Sequence, residues 1–159
     1  MLLEDTRAYL TYNDLVTSTD LALPVTHMKG EPVNFRFLRG KVTKKVGTRS
    51  VKMTAEVMSQ QMDKSYTVII DFYNVGEGEL PSLSKNPIRC RCSCAAYYFW
   101  FSYANKISSA LSGRSFTPYI PVQNPKRIVP PRNPNNYPGM CKHLIALGKG
   151  IVNSGGPIS

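Results

Sequence analysis

Apolar and polar residues alternate along three stretches in the first half of the chain, and a period of two residues is typical of a β-strand with one buried face. The stretches are 33–39, 51–57 and 66–72, with Gly47 and a polar turn at 59–64 between them. Strands joined by such short turns predict a β-meander or a pair of hairpins. The apolar face of this sheet requires a covering layer.

The expected covering layer is the helical material beyond Cys94. Residues 4–17 fit a short helix, although a strand fits nearly as well because β-branched residues lower helix propensity. Residues 20–32 contain proline and glycine breakers and are expected to form a loop. The aromatic run at 97–103 fits either a buried strand or a buried helix, and a helix over 95–111 that stops at Gly113 is the preferred prediction.

Six of the seven residues from 97 to 103 are aromatic, and this run is open to three interpretations. Packing against the sheet would make it part of the core. An exposed row of rings would instead stack on nucleic-acid bases. An exposed apolar patch would dock another protein.

A proline-rich segment and a closing helix make up the last third of the chain. Seven prolines between 116 and 138 exclude regular helix and central strand, and they predict an extended arm that wraps the surface. Apolar residues such as Tyr119 and Ile128 would pin this arm to the fold or to a neighbouring subunit. A helix is expected to open at 139–147. Its predicted buried stripe comprises Leu144, Leu147 and Ile151.

The positive charge is confined to the second half of the chain. Residues 1–84 contain ten basic and ten acidic residues, whereas residues 85–159 contain ten basic residues and no acid, which gives a formal net charge of +10. This asymmetry indicates a nucleic-acid or acidic protein partner, or else a basic surface without a specific role. The candidate contacts are Lys126, Arg127, Arg132, Lys142 and Lys149.

Membrane and export segments are not expected. No apolar run approaches the length that spans a bilayer, and Met1–Asp5 carries acids where a secretory signal carries positive charge. A reducing, cytoplasmic compartment is therefore predicted. Clustered cysteines in such a compartment are more often metal ligands or redox groups than structural disulfides.

Cysteine and histidine occur in two short motifs, Cys92-Ser-Cys94 and Cys141-Lys-His143, with 46 residues between them. Three thiolates and one imidazole can fill a tetrahedral Zn2+ site, and the metal would close the intervening loop. Disulfides in an oxidised particle and free thiols are the alternatives. Cys90 is left over as a buried thiol, an interchain disulfide partner, or a true ligand if the register shifts by two.

A catalytic constellation is not visible in the sequence. A metal site with four protein ligands activates no water, and we find neither a nucleophile–base pair nor a phosphate-binding glycine loop. His27 is expected to be a solvated surface histidine, and Glu77 and Glu79 an isolated acidic loop. The chain is therefore predicted not to be an enzyme and not to bind a small-molecule substrate.

The order Cys92-Ser-Cys94, aromatic residues, then Cys141-Lys-His143 at a helix start resembles the SWIM zinc finger. The resemblance covers roughly residues 50–150, although the spacer is much longer than in a usual SWIM finger. It implies that Cys92, Cys94, Cys141 and His143 supply the four ligands of one structural Zn2+, and that the domain binds DNA or protein. The long-spacer form, with the aromatic run and 131–143, is similar to virion structural proteins of tailed bacteriophages.

These observations predict an α+β fold, in which a small antiparallel sheet is covered by two helices and stapled by zinc, with a proline-rich arm. The predicted organisation is an N-terminal docking segment or small lobe at 1–40, a zinc domain at 41–152 with a proline-rich insert at 114–138, and a flexible tail at 153–159. The predicted function is a non-enzymatic assembly protein of a phage tail, neck or baseplate. It would assemble with other virion proteins in the host cytoplasm. A SWIM-type nucleic-acid-binding protein is the alternative.

Overall fold

The computed structural model describes residues 8–22, 35–45, 47–58, 64–116 and 133–153. Within these ranges the chain forms four helices and four strands. They are α1 (Tyr12–Ala22), β1 (Phe35–Lys45), β2 (Thr48–Met58), β3 (Ser65–Gly76), β4 (Ile88–Cys92), α2 (Ala95–Trp100), α3 (Ser102–Ile107) and α4 (Lys142–Asn153). The α+β class is confirmed, but the described residues contain four helices where the sequence pattern predicts two as the covering layer.

The four strands form one antiparallel sheet in the order β1-β2-β3-β4, so each strand pairs with its neighbour in sequence. This is the predicted meander, and its first turn contains Gly47 at a φ of 75°, a conformation that glycine tolerates. Directly paired residues build the buried face of β2, β3 and β4 in three rows. The rows are Val51–Phe72–Ile88, Met53–Ile70–Cys90 and Ala55–Val68–Cys92.

Two strands differ from the sequence pattern. β1 continues to Lys45, beyond the predicted end at 39, because its ladder with β2 runs up to the turn. The sequence pattern predicts no strand at β4, where Ile88, Cys90 and Cys92 alternate with two arginines. Cysteine also behaves as a small buried hydrophobe, and here it alternates with arginine as the apolar half of a strand.

Helix α1 begins and ends later than the predicted helix at 4–17. Thr11 and Asp14 bind each other's backbone N–H groups at 3.0 and 3.1 Å, which is a reciprocal cap at the helix start. Tyr12, Leu15 and Thr19 are buried along one side. The predicted loop from Asp20 is therefore wrong for the last three residues of α1, because packing of this buried side outweighs weak helix propensity.

The aromatic run is two short helices, so the single helix predicted to reach Leu111 is wrong. The break falls at the buried Phe101, whose φ and ψ of −126° and −17° are not helical. After α3 the chain turns back through Ser109, which has a φ of 55°, and pairs with the edge of β4. The backbone of Cys90 holds this return segment by bonds of 2.9 Å to the Ala110 oxygen and 3.0 Å from the Ser112 nitrogen.

The closing helix α4 buries its predicted stripe, since Leu144, Leu147 and Ile151 are all in the core. Gly148 adds a contact that the pattern does not reveal. A Cβ at this position would lie 2.3 Å from a ring carbon of Tyr12, so α1 and α4 can pack closely only because glycine is present. The Tyr12 hydroxyl donates a 2.5 Å hydrogen bond to the oxygen of Ile145, and α1 thereby belongs to the same core as the sheet.

Candidate metal centre

The first pair of candidate ligands lies where β4 gives way to α2. Cys92 is the last residue of β4, and Cys94 is the N-cap of α2, where its Sγ accepts the Tyr97 N–H at 3.3 Å. Ser93 between them is tied to β3, because its N–H donates to the Thr67 oxygen at 3.1 Å and its Oγ accepts the Thr67 N–H at 3.0 Å. The sheet and the helix start therefore fix both thiols.

The second pair lies at the start of α4. Cys141 directly precedes the helix, and its carbonyl accepts the Ile145 N–H at 3.1 Å in the first turn. The N–H of Met140, one residue earlier, donates to the Thr19 Oγ1 at 2.9 Å. Cys141 is wholly buried and His143 is 4 % exposed, so the two side chains point into the protein.

The structure brings the four predicted ligands together. Each of Cys92, Cys94, Cys141 and His143 is buried, and their donor atoms all lie within 4.8 Å of one another. The His143 Nδ1 is 3.8 Å from the Cys92 Sγ and 3.9 Å from the Cys141 Sγ. A tetrahedron with zinc–sulfur and zinc–nitrogen bonds of ordinary length has edges of about 3.5–3.8 Å. The donor set and its spacing therefore fit a tetrahedral metal ion.

The pKa values of the three thiols in the cluster shift in opposite directions. Hydrogen bonds from Cys141 and Cys92, and then from His143 and the Tyr97 N–H, hold the pKa of Cys94 well below its usual value. The pKa of Cys92 is raised, because the hydrogen bond with Cys141 that lowers it is outweighed by the hydrogen bond to Cys94 and by burial. Burial also raises the pKa of Cys141. Metal binding would therefore displace protons from Cys92 and Cys141.

His143 is held by packing on its outer side. The Tyr66 ring lies against the imidazole, with 4.7 Å between ring centroids. The Nε2 atom is buried and has no hydrogen-bond partner among the residues that the structure describes. A histidine that binds a metal through one ring nitrogen usually donates the N–H of the other to a nearby acceptor. His143 has no such acceptor for Nε2 among the described residues. Nδ1 is the nitrogen that faces the sulfur atoms.

Cys90 lies outside the cluster. It is fully buried on the core face of β4, and the Asn105 amide donates to its Sγ at 3.6 Å. Burial raises the pKa of this thiol to about 12. Of the three interpretations open from the sequence, the structure places Cys90 as a buried thiol and not beside the four candidate ligands.

The other predicted site residues are scattered or fall outside the described part of the chain. On α4, Lys149 is exposed and Lys142 is half-buried. His27 and three of the candidate basic contacts, Lys126, Arg127 and Arg132, lie outside the described residues. The exposed Glu77 and Glu79 follow β3, and the backbone oxygen of Glu79 accepts a hydrogen bond from the Arg49 guanidinium.

Two polar residues that contact the site segment carry no sequence signal of that role. Thr19 lies just beyond the helix predicted at 4–17, and Asn105 follows an aromatic run, yet both are buried and bind the backbone just before Cys141. Buried polar groups are nearly always hydrogen-bonded, but the burial of these two residues is visible only in the fold.

Comparison with known proteins adds no relative. No protein-family profile matches this sequence, and neither a curated protein nor a solved structure matches it significantly. Among the described residues, no helix is both long and apolar enough to cross a membrane. Fold and site together define a small α+β protein with a buried Cys3His cluster that could bind a metal ion.

Proposed function

We propose that Cys92, Cys94, Cys141 and His143 hold one structural Zn2+, and that the chain is a non-enzymatic module of a larger protein assembly. The observation that carries the proposal is the burial of three sulfur atoms and one imidazole nitrogen within 4.8 Å of one another. Thiolate and imidazole donors suit Zn2+. Four protein ligands leave no coordination position for water, which favours a structural role over catalysis.

Zinc at this point would join parts of the chain that are far apart in sequence. Its ligands come from the end of β4, the cap of α2 and the start of α4. The 46 residues between Cys94 and Cys141 would become a closed loop. Closing the loop removes conformational freedom from the unfolded chain, and metal binding to the folded state alone adds its free energy to folding.

Exposed apolar side chains on α2 and α3 support the assembly role. Phe99, Tyr103 and Ile107 are 39 %, 61 % and 53 % exposed. Exposed large apolar side chains are typical of protein–protein contacts when they form a patch. The resemblance to tailed-phage virion proteins is what suggests the setting, a tail, neck or baseplate, and neighbouring virion proteins as partners.

The charge distribution favours the alternative function, a SWIM-type nucleic-acid-binding protein. The chain contains no acidic residue from Leu80 to Ser159. The five candidate basic residues, which include the exposed Lys149, would then contact phosphates. Binding of this kind weakens steeply as salt increases, because each phosphate contact releases counterions.

Metal analysis tests the first part of the proposal. Protein purified without chelator should contain about one zinc per chain, and a variant in which Cys141 is replaced by serine should contain much less. A wild-type chain that stays metal-free after incubation with excess Zn2+ would contradict a structural zinc site.

Particle incorporation and DNA binding separate the two functions. In virions from the source of this sequence, a variant with serine at Phe99, Tyr103 and Ile107 should be lost from the particle. The control variant has serine at three comparably exposed apolar residues elsewhere: Leu21, Val42 and Leu80. It should be incorporated normally. If the chain is absent from virions but binds duplex DNA at low salt and releases it as salt rises, the nucleic-acid function replaces assembly.

A further inference from the structure

The segment that carries Cys141 is gripped by one side chain from α3. Asn105 is fully buried, and its amide makes a pair of hydrogen bonds with the backbone of Gly139. The Gly139 N–H donates to the Asn105 Oδ1 at 2.8 Å, and the Asn105 Nδ2 donates to the Gly139 oxygen at 2.8 Å. Gly139 is two residues before Cys141, so this amide clasp acts next to a candidate ligand.

The same amide is connected to the strand that carries the other half of the site. The Asn105 Nδ2 lies 2.9 Å from the Tyr97 hydroxyl, and that hydroxyl donates to the Cys90 oxygen at 2.9 Å. Nδ2 also approaches the Cys90 Sγ at 3.6 Å. Cys90 is two residues before Cys92 in β4. Asn105 therefore bridges the backbone two residues before each half of the metal centre.

The fit at Gly139 leaves little freedom for the segment to shift. A Cβ on Gly139 would lie 2.5 Å from a ring carbon of Phe101 and 2.6 Å from the Thr19 Oγ1. The next residue, Met140, donates its N–H to the same Thr19 oxygen at 2.9 Å. Close packing on both sides and three hydrogen bonds hold the backbone just before Cys141.

We propose that Asn105 is a positioning residue of the metal centre, which sets the distance between the Cys92–Cys94 half and the Cys141–His143 half. The inference rests on the proposed metal function. With the clasp, the ion meets donors that are already close together. Without it, metal binding has to order the segment before α4, and affinity falls. Outer-shell partners of metal ligands typically contribute about 10- to 100-fold in affinity.

Asn86 offers a matched control for the loss of a buried amide. It is 8 % exposed, and like the Asn105 amide its side-chain amide both accepts and donates hydrogen bonds to the backbone. Its Oδ1 accepts the Ser82 N–H, and its Nδ2 donates to the oxygens of Tyr73 and Asn74. Tyr73 and Asn74 lie near the end of β3, whereas Val68, which pairs with Cys92, lies near its start. Asn86 therefore shares the chemistry of Asn105 but not its position.

The test compares Asn105→Ala with Asn86→Ala in the full chain. Zn2+ affinity is measured by competition with a chromophoric chelator, and Co2+ is added as a spectroscopic probe of the ligands. Asn105→Ala should bind Zn2+ about 10- to 100-fold more weakly and shift the visible Co2+ bands, whereas Asn86→Ala should bind as the wild type does. Equal affinity and unchanged Co2+ spectra in Asn105→Ala, with the wild type binding normally, would overturn the inference alone. A wild-type chain that binds neither ion would instead overturn the proposed function.

Two further measurements cover the case in which Asn105→Ala does not fold. Tyr97→Phe removes only the hydroxyl that joins Asn105 to Cys90, so it should weaken Zn2+ binding by a smaller factor than Asn105→Ala but by more than Asn86→Ala. In metal-free wild-type protein, hydrogen exchange should show a protected Gly139 amide. A Gly139 amide that exchanges as fast as an open loop before metal is added would contradict the clasp.

Discussion

The two halves of the candidate metal centre are held in different ways. Regular structure fixes Cys92 and Cys94, because one ends a strand paired with β3 and the other caps a helix. Cys141 and His143 lie at the start of α4, but the described residues just before them, 133–140, join no strand, and buried side chains of α1 and α3 hold this segment. A strand ladder depends little on any single side chain, whereas a side-chain hydrogen bond is lost with one substitution. The second half should therefore be the more fragile.

Metal removal should give the largest effect and should expose this difference. On chelation we expect the amides of α4 to exchange much faster, while those of β2 and β3 stay protected. Loss of a structural metal costs several kcal/mol, so the melting temperature should fall by at least about 10 °C. Hydrogen exchange with and without chelator measures the first effect, and calorimetry the second.

The control for chelation is the variant with serine at Cys141, in which added chelator should change nothing further. Equal loosening of the sheet and of α4 in the wild type would show that the two halves are not held differently. Unchanged melting of the wild type would remove the structural role of the metal.

Thr19→Val tests the support that α1 gives to the second half. The substitution keeps the shape of the side chain but removes the oxygen that accepts the Met140 N–H and the hydroxyl that donates to the Leu15 oxygen at 2.6 Å. A buried N–H left without a partner costs about 1–3 kcal/mol. The free energy of unfolding, from urea titration of the metal-loaded protein, should fall by that amount.

Thr17→Val is the matched control, since Thr17 is exposed on the same helix. It should change stability by no more than about 0.5 kcal/mol. If both threonine variants behave alike, the Thr19 hydrogen bond does not support the site, and the second half depends on other contacts.

Cys90→Ala sharpens the assignment within the first half. Cys90 and Cys92 both face the core from β4, but only Cys92 reaches the cluster. Replacing Cys90 should keep one metal ion and an unchanged Co2+ spectrum, with a stability loss of about 1 kcal/mol for the small cavity. Cys92→Ala should lose the metal. A Cys90→Ala protein without metal would show that the register of the ligands is shifted by two residues.

The sequence predicts those parts of the molecule in which the information is local. The alternation at 51–57 and 66–72 defines β2 and β3, and the two cysteine motifs identify residues that the fold brings together. The break at Phe101 and the return of the chain to β4 follow from packing partners that no local pattern displays.

The supports of the second half are the least predictable part of the site. Asn105 binds Gly139 across 34 residues, and Thr19 binds Met140 across 121. At each position the residue type fits many roles, and only the fold shows which backbone group it meets. Because these partners are far apart in the sequence, no local pattern reveals the contacts. For the same reason, the position of Cys141 and His143 depends on the folding of α1 and α3.

Substitution of Asp71 has the smallest expected effect on stability. It tests how β3 and the return segment hold β4, the strand that carries Cys92. Asp71 lies in β3 opposite Arg89 of β4, and the Ser112 hydroxyl donates to its Oδ2 at 2.6 Å, which ties the return segment to the sheet. Burial raises the pKa of this carboxyl above its usual 3.8, although Ser112 and Lys52 act against the shift. The folded state therefore binds the proton more tightly than the unfolded state, and stability falls as pH rises from 3.8 through the folded pKa.

Asp71→Asn should remove this pH dependence, because an amide oxygen can still accept the Ser112 hydroxyl while no charge is buried. The difference in unfolding free energy between Asp71→Asn and the wild type should shift in favour of the variant as pH rises above 3.8. Glu77→Gln, at an exposed acid in the loop after β3, supplies the baseline for losing one negative charge. If Asp71→Asn instead loses stability relative to the wild type as pH rises, the ionised carboxylate is the form that the sheet favours. The ion pair with Lys52, at 4.0 Å, would then matter more than burial.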